Sequence, residues 1–324
     1  MLKLTRIINK FINFLYFFSK LLHFKIAYLF ANQDLPKKAI RDVSIKNQTF
    51  VFNKTNNCIN LNTLRLFKEE ANKLIALLNH AKVKVQTSGN DYFILDIDNI
   101  SYRIESQNNL NILHEIYIEL IYSIDAPHKD VIVLDIGMNI GFATLFFASH
   151  TKIKRVYGFE PFTNTYTLAT TNFKANPSLS NKITANNFGI SNYDQIIDVP
   201  VSEAGSVSSS TDSDFIKINK NSNTSNVQVS IKNISGVLNS IMNEHASCPV
   251  YLKIDCEGEE YKILNELSKT ALLPKVSCLI IEWHFKGSEE LNNYLLTNGF
   301  SLHEVPIHDQ SNYGMIYAFN TRQR

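Results

Sequence analysis

Val131–Ile136 is a nearly continuous apolar run, broken only by Asp135, and it leads directly into Gly137-Met138-Asn139-Ile140-Gly141. Such a run reads as a parallel strand buried on both faces. Glycines at the following turn let the backbone come close to a ligand. A helical pattern then runs from Phe142 to about His150. Further strand-like runs follow at Val156–Phe159, Ile183–Phe188, Val250–Ile254 and Cys278–Glu282, with two more near 301–306 and 314–319. Helical patterns lie near 164–175, 261–267 and 288–297. This alternation predicts a Rossmann-like, seven-stranded, mostly parallel sheet with helices on both faces. The closing hairpin makes the last strand antiparallel. The stretch 202–226, with eight serines, reads as a mobile, partly stranded insertion.

The first 125 residues follow a different pattern. Residues 43–53 look extended, and 61–80 carry helical apolar spacing. Short strand-like runs at 82–87, 92–97 and 100–105 are separated by the turn signals Gly89-Asn90 and Asp98-Asn99. Leu110, Leu113, Tyr117, Leu120 and Ile124 mark another helix. The expected organisation is an N-terminal arm at 1–32, a small α+β region at 33–125 and the main α/β domain at 126–324.

The arm concentrates the positive charge. Residues 1–40 hold seven Lys or Arg and one acid, leaving 25 bases against 29 acids in the remainder. A body of that balance is no polyanion binder, which argues against nucleic acid as the partner. In the arm, Lys3, Arg6, Lys10 and Lys20 fall on one side of a helix, opposite Ile7, Phe11, Phe14, Phe18 and Leu21. Lys20, His23 and Lys25 interrupt the run too early for a membrane span. Two readings stand: the helix lies on an anionic membrane face, or it packs on the body or a second subunit. Four scattered cysteines without a C-x-x-C pair give no disulfide framework and no structural zinc site, and they fit a reducing cytoplasmic compartment.

The chemistry collects at the strand ends. Glu160 ends the second strand, 23 residues after Gly137, where a carboxylate can accept both hydroxyls of an adenosine ribose. The glycine spacing is G-x-x-x-G, with Asn139 where the dinucleotide fingerprint has its pyrophosphate-facing glycine. That spacing favours S-adenosylmethionine over NAD. The fourth strand ends Lys253-Ile254-Asp255-Cys256-Glu257-Gly258-Glu259-Glu260, and the fifth ends with Glu282 and His284 two residues apart. Asp255, Glu257 and His284 are the candidate bases for taking a proton from an acceptor hydroxyl. Glu257 and Glu260 also suit the first turn of the next helix. Asp255, Glu257, Glu282 and His284 are conceivable as a mixed oxygen–nitrogen metal set, but no metal is assigned.

The runs D-I-G-M-N-I-G-F, G-F-E-P-F and L-K-I-D-C-E-G-E-E-Y, with I-E-W-H after them, resemble the FkbM family of S-adenosylmethionine-dependent methyltransferases. The resemblance spans roughly residues 130–305. Met138 and Cys256 depart from the family's usual Ala and Val. The resemblance implies a class I methyltransferase domain in which Asp135, Gly137, Asn139 and Gly141 hold the methionine end of the cofactor and Glu160 the ribose. The end of the third strand should flank the adenine, through Asn187 or Asn186. The expected reaction is O-methylation of a small-molecule or glycan acceptor, with Gly205–Thr211 contributing to its pocket. The competing readings are a nicotinamide-dependent oxidoreductase and a non-catalytic adaptor held at a membrane by its arm.

Overall fold

The computed structural model describes residues 40–44, 49–52, 58–60, 71–80, 83–87, 92–123, 127–202, 224–306 and 313–322. The arm at 1–32, the Gly89-Asn90 turn and Gly205–Thr211 lie outside them. The chain divides into two compact units, Met1–Ile121 and Tyr122–Arg324.

In the first unit, β1 (Ile40–Ser44), β2 (Thr49–Phe52) and β3 (Cys58–Asn60) form an antiparallel sheet. Helix α1 (Ala71–Leu78) is followed by a second antiparallel sheet of β4 (Val83–Thr87), β5 (Phe93–Ile97) and β6 (Ile100–Ile104). Asp98 and Asn99, with φ of 52° and 69°, make the two-residue turn between β5 and β6. Helix α2 (Gln107–His114) starts at a capping box of Ser106 and Asn109. The spacing predicts that this helix continues to Ile124. Instead it loosens into a π turn at Glu115–Glu119 and stops at Leu120, which is left-handed. Ile124 lies outside the described residues.

The second unit holds the large sheet. Its strands are β7 (Val131–Ile136), β8 (Ile153–Phe159) and β9 (Ile183–Asn186), with helices α3 (Phe142–Ser149), α4 (Thr163–Ala175) and α5 (Pro177–Ser180) between them. A smaller sheet of β10 (Gly189–Ser191), β11 (Gln195–Ser202) and β12 (Thr224–Asn233) follows, with β12 in the middle. Helix α6 (Ile234–Glu244), β13 (Val250–Ile254), α7 (Glu260–Lys269), β14 (Cys278–His284), α8 (Glu289–Thr297), β15 (Phe300–Pro306) and β16 (Tyr313–Asn320) complete the unit. The large sheet runs β15-β16-β14-β13-β7-β8-β9. Only β16 opposes its neighbours, as a closing hairpin requires.

Alternation along β7 separates two layers. Ile132, Leu134 and Ile136 join an apolar layer with Leu238 of α6, Leu264 and Leu267 of α7, and Leu291 and Leu295 of α8. Asp135 faces the other layer, where α3 covers it. The predicted seven-stranded sheet is therefore present, with these differences. The third strand stops at Asn186, two residues early. Stretch 202–226 contributes the ends of β11 and β12. Helix α6 was not expected.

Candidate active site

The two motif strands lie side by side. Lys253 on β13 pairs in register with Asp135 on β7. The Lys253 Nζ sits 3.1 Å from Asp135 Oδ1, 3.3 Å from Asp255 Oδ2 and 2.7 Å from the Gly137 carbonyl oxygen, to which it donates. Burial opposes its charge, but the two carboxylates outweigh that and raise its pKa above the ordinary lysine value. The Thr144 hydroxyl donates to the other Asp135 oxygen at 2.5 Å. Asp135 is fully buried within this cage, so its carboxylate fixes the glycine turn through Lys253.

The glycines have internal reasons. Gly137 has φ of +77°, and a Cβ there would lie 1.8 Å from the Asp255 carbonyl oxygen. Gly141 has φ of +82°, and a Cβ there would strike the Phe173 ring of α4 at 2.5 Å. Both absences are filled by protein. Asn139 is also left-handed, with φ of 53°, and its backbone N–H donates to Glu160 Oε2 at 3.2 Å. Met138, the first departure from the family pattern, is buried against Gly158. Cys256, the second, is partly buried.

Glu160 is buried at the end of β8. Its other oxygen accepts the Phe162 N–H at 3.0 Å. Burial raises its pKa to about 7, against the pull of those two N–H groups and of Lys253. The carboxylate thus links the glycine turn to the segment after β8 and keeps lone pairs for further donors. Asn187 is half-buried. It donates to the Glu160 and Pro161 carbonyl oxygens and accepts from the Thr163 hydroxyl at 3.0 Å. Asn186 donates to the Gly158 carbonyl oxygen. Both asparagines therefore support the backbone beside Glu160.

The acids of the fourth strand gather around His284. Strand β13 stops at Ile254, so alternation does not carry on to Glu257. Glu257 instead takes a left-handed φ of 54°, an uncommon conformation for a non-glycine residue. Its Oε2 lies 3.9 Å from His284 Nε2, and Glu282 Oε1 lies 3.7 Å from the same nitrogen. Burial raises the Glu257 pKa, with Asp255 and Glu260 adding to it and His284 opposing. Tyr122 donates to Asp255 Oδ2 at 3.3 Å. Glu260, fully buried, accepts the Cys256 and Gly258 N–H groups and holds His284 Nδ1 at 2.8 Å. Burial would depress the His284 pKa, but the bond to Glu260 and the surrounding carboxylates raise it to about 10. That pull favours the imidazolium form of His284, in which Nδ1 donates to Glu260.

Sequence reasoning brought out Asp255, Glu257, Glu282 and His284 as neighbours. It missed the bond between Glu260 and His284, the support from Thr144 and the reach of Tyr122. The register that places Lys253 beside Asp135 comes from the strand pairing itself and has no signal in the sequence.

Comparison with known proteins follows the same residues. The model of the Methyltransferase FkbM domain matches residues 135–302, just over half of the chain. A search of curated proteins gave no match. Among solved structures, an FkbM methyltransferase from Methylobacillus flagellatus KT is 16% identical, with 66% of this chain and 54% of that one covered and a TM-score of 0.40. Sp1610 of Streptococcus pneumoniae, proposed to be a tRNA (m1A22) methyltransferase and solved with S-adenosyl-L-methionine, is 16% identical. It covers 63% of this chain and 71% of its own, with a TM-score of 0.38. The M. capricolum TrmK bound to S-adenosyl-homocysteine is 14% identical over 60% and 64%, with a TM-score of 0.33. The motif strands, their register and the family match lead to one conclusion: this chain belongs to the FkbM methyltransferases, which use S-adenosylmethionine.

Proposed function

We propose that the protein methylates a hydroxyl of a sugar, glycan precursor or similar small polar acceptor. The convergence of Asp255, Glu257 and Glu282 on His284 at the ends of β13 and β14 carries this reading. An alcohol must lose its proton as the new bond forms, whereas an amine needs far less help. A strand-end site rich in carboxylates suits the harder case, and its polar lining suits a polyhydroxy acceptor.

When bound, S-adenosylmethionine supplies a methyl carbon activated by its sulfonium sulfur, which keeps the electron pair as the methyl leaves. Glu160 accepts hydrogen bonds from the ribose hydroxyls. These donors supply the solvation that burial has taken from the carboxylate, and this is how the residues at the end of β8 fit the group. The Gly137–Gly141 backbone, held rigid by Lys253 and Asp135, forms the floor beside it. Asp255 or Glu257 takes the acceptor proton. His284, a cation in the absence of ligand, positions the carboxylates around it. Enclosure and alignment supply the remaining acceleration.

The test is S-adenosylhomocysteine release against matched panels of hydroxylated and aminated small molecules. Turnover with hydroxylated acceptors supports the reading. Turnover confined to amines or to nucleic acid contradicts it.

A further inference from the structure

We propose that Asp255, Glu282 and His284 form a divalent cation site at the ends of β13 and β14. One donor atom from each lies within 4.8 Å of the other two. His284 Nε2 is 3.7 Å from Glu282 Oε1, beyond hydrogen-bond reach. Two donors each about 2.1 Å from a shared ion stand roughly 3–3.5 Å apart. A small closure therefore makes the gap a chelate.

The second observation is the way the imidazole is held. His284 is 8% exposed. Its Nδ1 is engaged by the buried Glu260 at 2.8 Å, which turns Nε2 toward the carboxylates. Among the described residues it has ion-pair neighbours there and no hydrogen bond. Tyr261, next to Glu260 in the first turn of α7, donates to the carbonyl oxygens of His284 and Gly287 at 2.9 and 2.8 Å. Ring and backbone are thus fixed from one helix turn. A carboxylate behind a histidine is the usual outer support of a metal ligand. The ion takes the place of the proton on Nε2.

Two oxygens and one nitrogen suit Mn2+ or Zn2+ better than a cation that prefers oxygen donors alone. Three protein donors leave positions open for water or an acceptor oxygen. An acceptor hydroxyl bound there loses its proton more readily, with Glu257 beside it to take that proton. This role for the ion rests on the O-methylation reading; the site itself does not.

The experiment titrates Mn2+ into the full chain, freed of metal and without cofactor, and follows the free ion by electron paramagnetic resonance. The expected result is saturable binding of one Mn2+ per chain, displaced by Zn2+. Glu282→Gln and His284→Gln should each weaken it at least about tenfold while the circular dichroism spectrum is unchanged. If His284→Gln does not fold, Glu282→Gln carries the test. Absence of saturable binding up to millimolar Mn2+, or equal binding in the wild type and Glu282→Gln, overturns the site. A protein that binds S-adenosylmethionine and methylates hydroxyls but binds no Mn2+ overturns this inference alone.

Discussion

Glu160 is a carboxylate that burial leaves short of solvation, and that has a measurable consequence. Its folded pKa of about 7 lies above the ordinary 4.5. Below about pH 4.5 it is protonated in both folded and unfolded chains and has no effect. As pH rises to 7 only the unfolded chain ionises, so the fold loses stability, by roughly 3 kcal/mol on reaching neutrality. In the cofactor role proposed for Glu160, ribose hydroxyls stabilise the ionised form, so that binding releases the proton. Cofactor affinity should rise about tenfold between pH 6 and pH 8, and calorimetry on Glu160→Gln should show that slope flattened. Asp255 and Glu257 answer to a different assay. Asp255→Asn or Glu257→Gln should cut S-adenosylhomocysteine release by about a hundredfold or more, with cofactor affinity almost unchanged. Normal turnover in both variants would remove them as bases. At this scale the sequence showed which residues gather at the strand ends but not their protonation. The charge on His284 depends on Glu260 behind it, and hydropathy spacing carries no trace of that hydrogen bond.

Among the elements, the β7–β13 pair has the most to lose. Lys253 is buried between Asp135 and Asp255. Lys253→Met leaves those acids without their cation, and removing one partner of a buried pair costs about 3–5 kcal/mol. Chemical denaturation should show a loss of that size. Gly137→Ala adds a Cβ where the Asp255 carbonyl oxygen already stands, at a left-handed φ, and should cost at least about 1 kcal/mol. Alternating apolar strands and helices made the large sheet legible in advance, because a buried parallel strand needs an unbroken apolar run. Helix α6 was harder to see. It opens Ile234-Ser235-Gly236, which reads as a loop. Its cap was nonetheless present in the sequence: the Asn233 side chain accepts the Ser235 N–H at 2.6 Å. The early stop of α2 left no pattern, since Leu120 is a poor choice for the left-handed position it occupies.

For the molecule as a whole, the family match at residues 135–302 lies within the second unit and does not reach the first. Among the described residues no helix is long and apolar enough to cross a membrane. The basic arm at 1–32 is proposed as a contact with an anionic membrane surface. Deleting it should abolish flotation with anionic liposomes and leave the main thermal transition in place. If the full chain ignores liposomes and the shortened one is insoluble, the arm is a packing helix.

The central claim is that the strand ends of the second unit hold S-adenosylmethionine for methyl transfer. Thermal unfolding with S-adenosylmethionine, S-adenosylhomocysteine, NAD or no ligand tests it most directly. A ligand at a hundred times its dissociation constant stabilises the fold by about 2.7 kcal/mol. The account predicts a higher midpoint with both sulfur nucleotides and none with NAD, and a loss of the shift in Glu160→Ala. A shift with NAD alone, or an undiminished shift in Glu160→Ala, would contradict it.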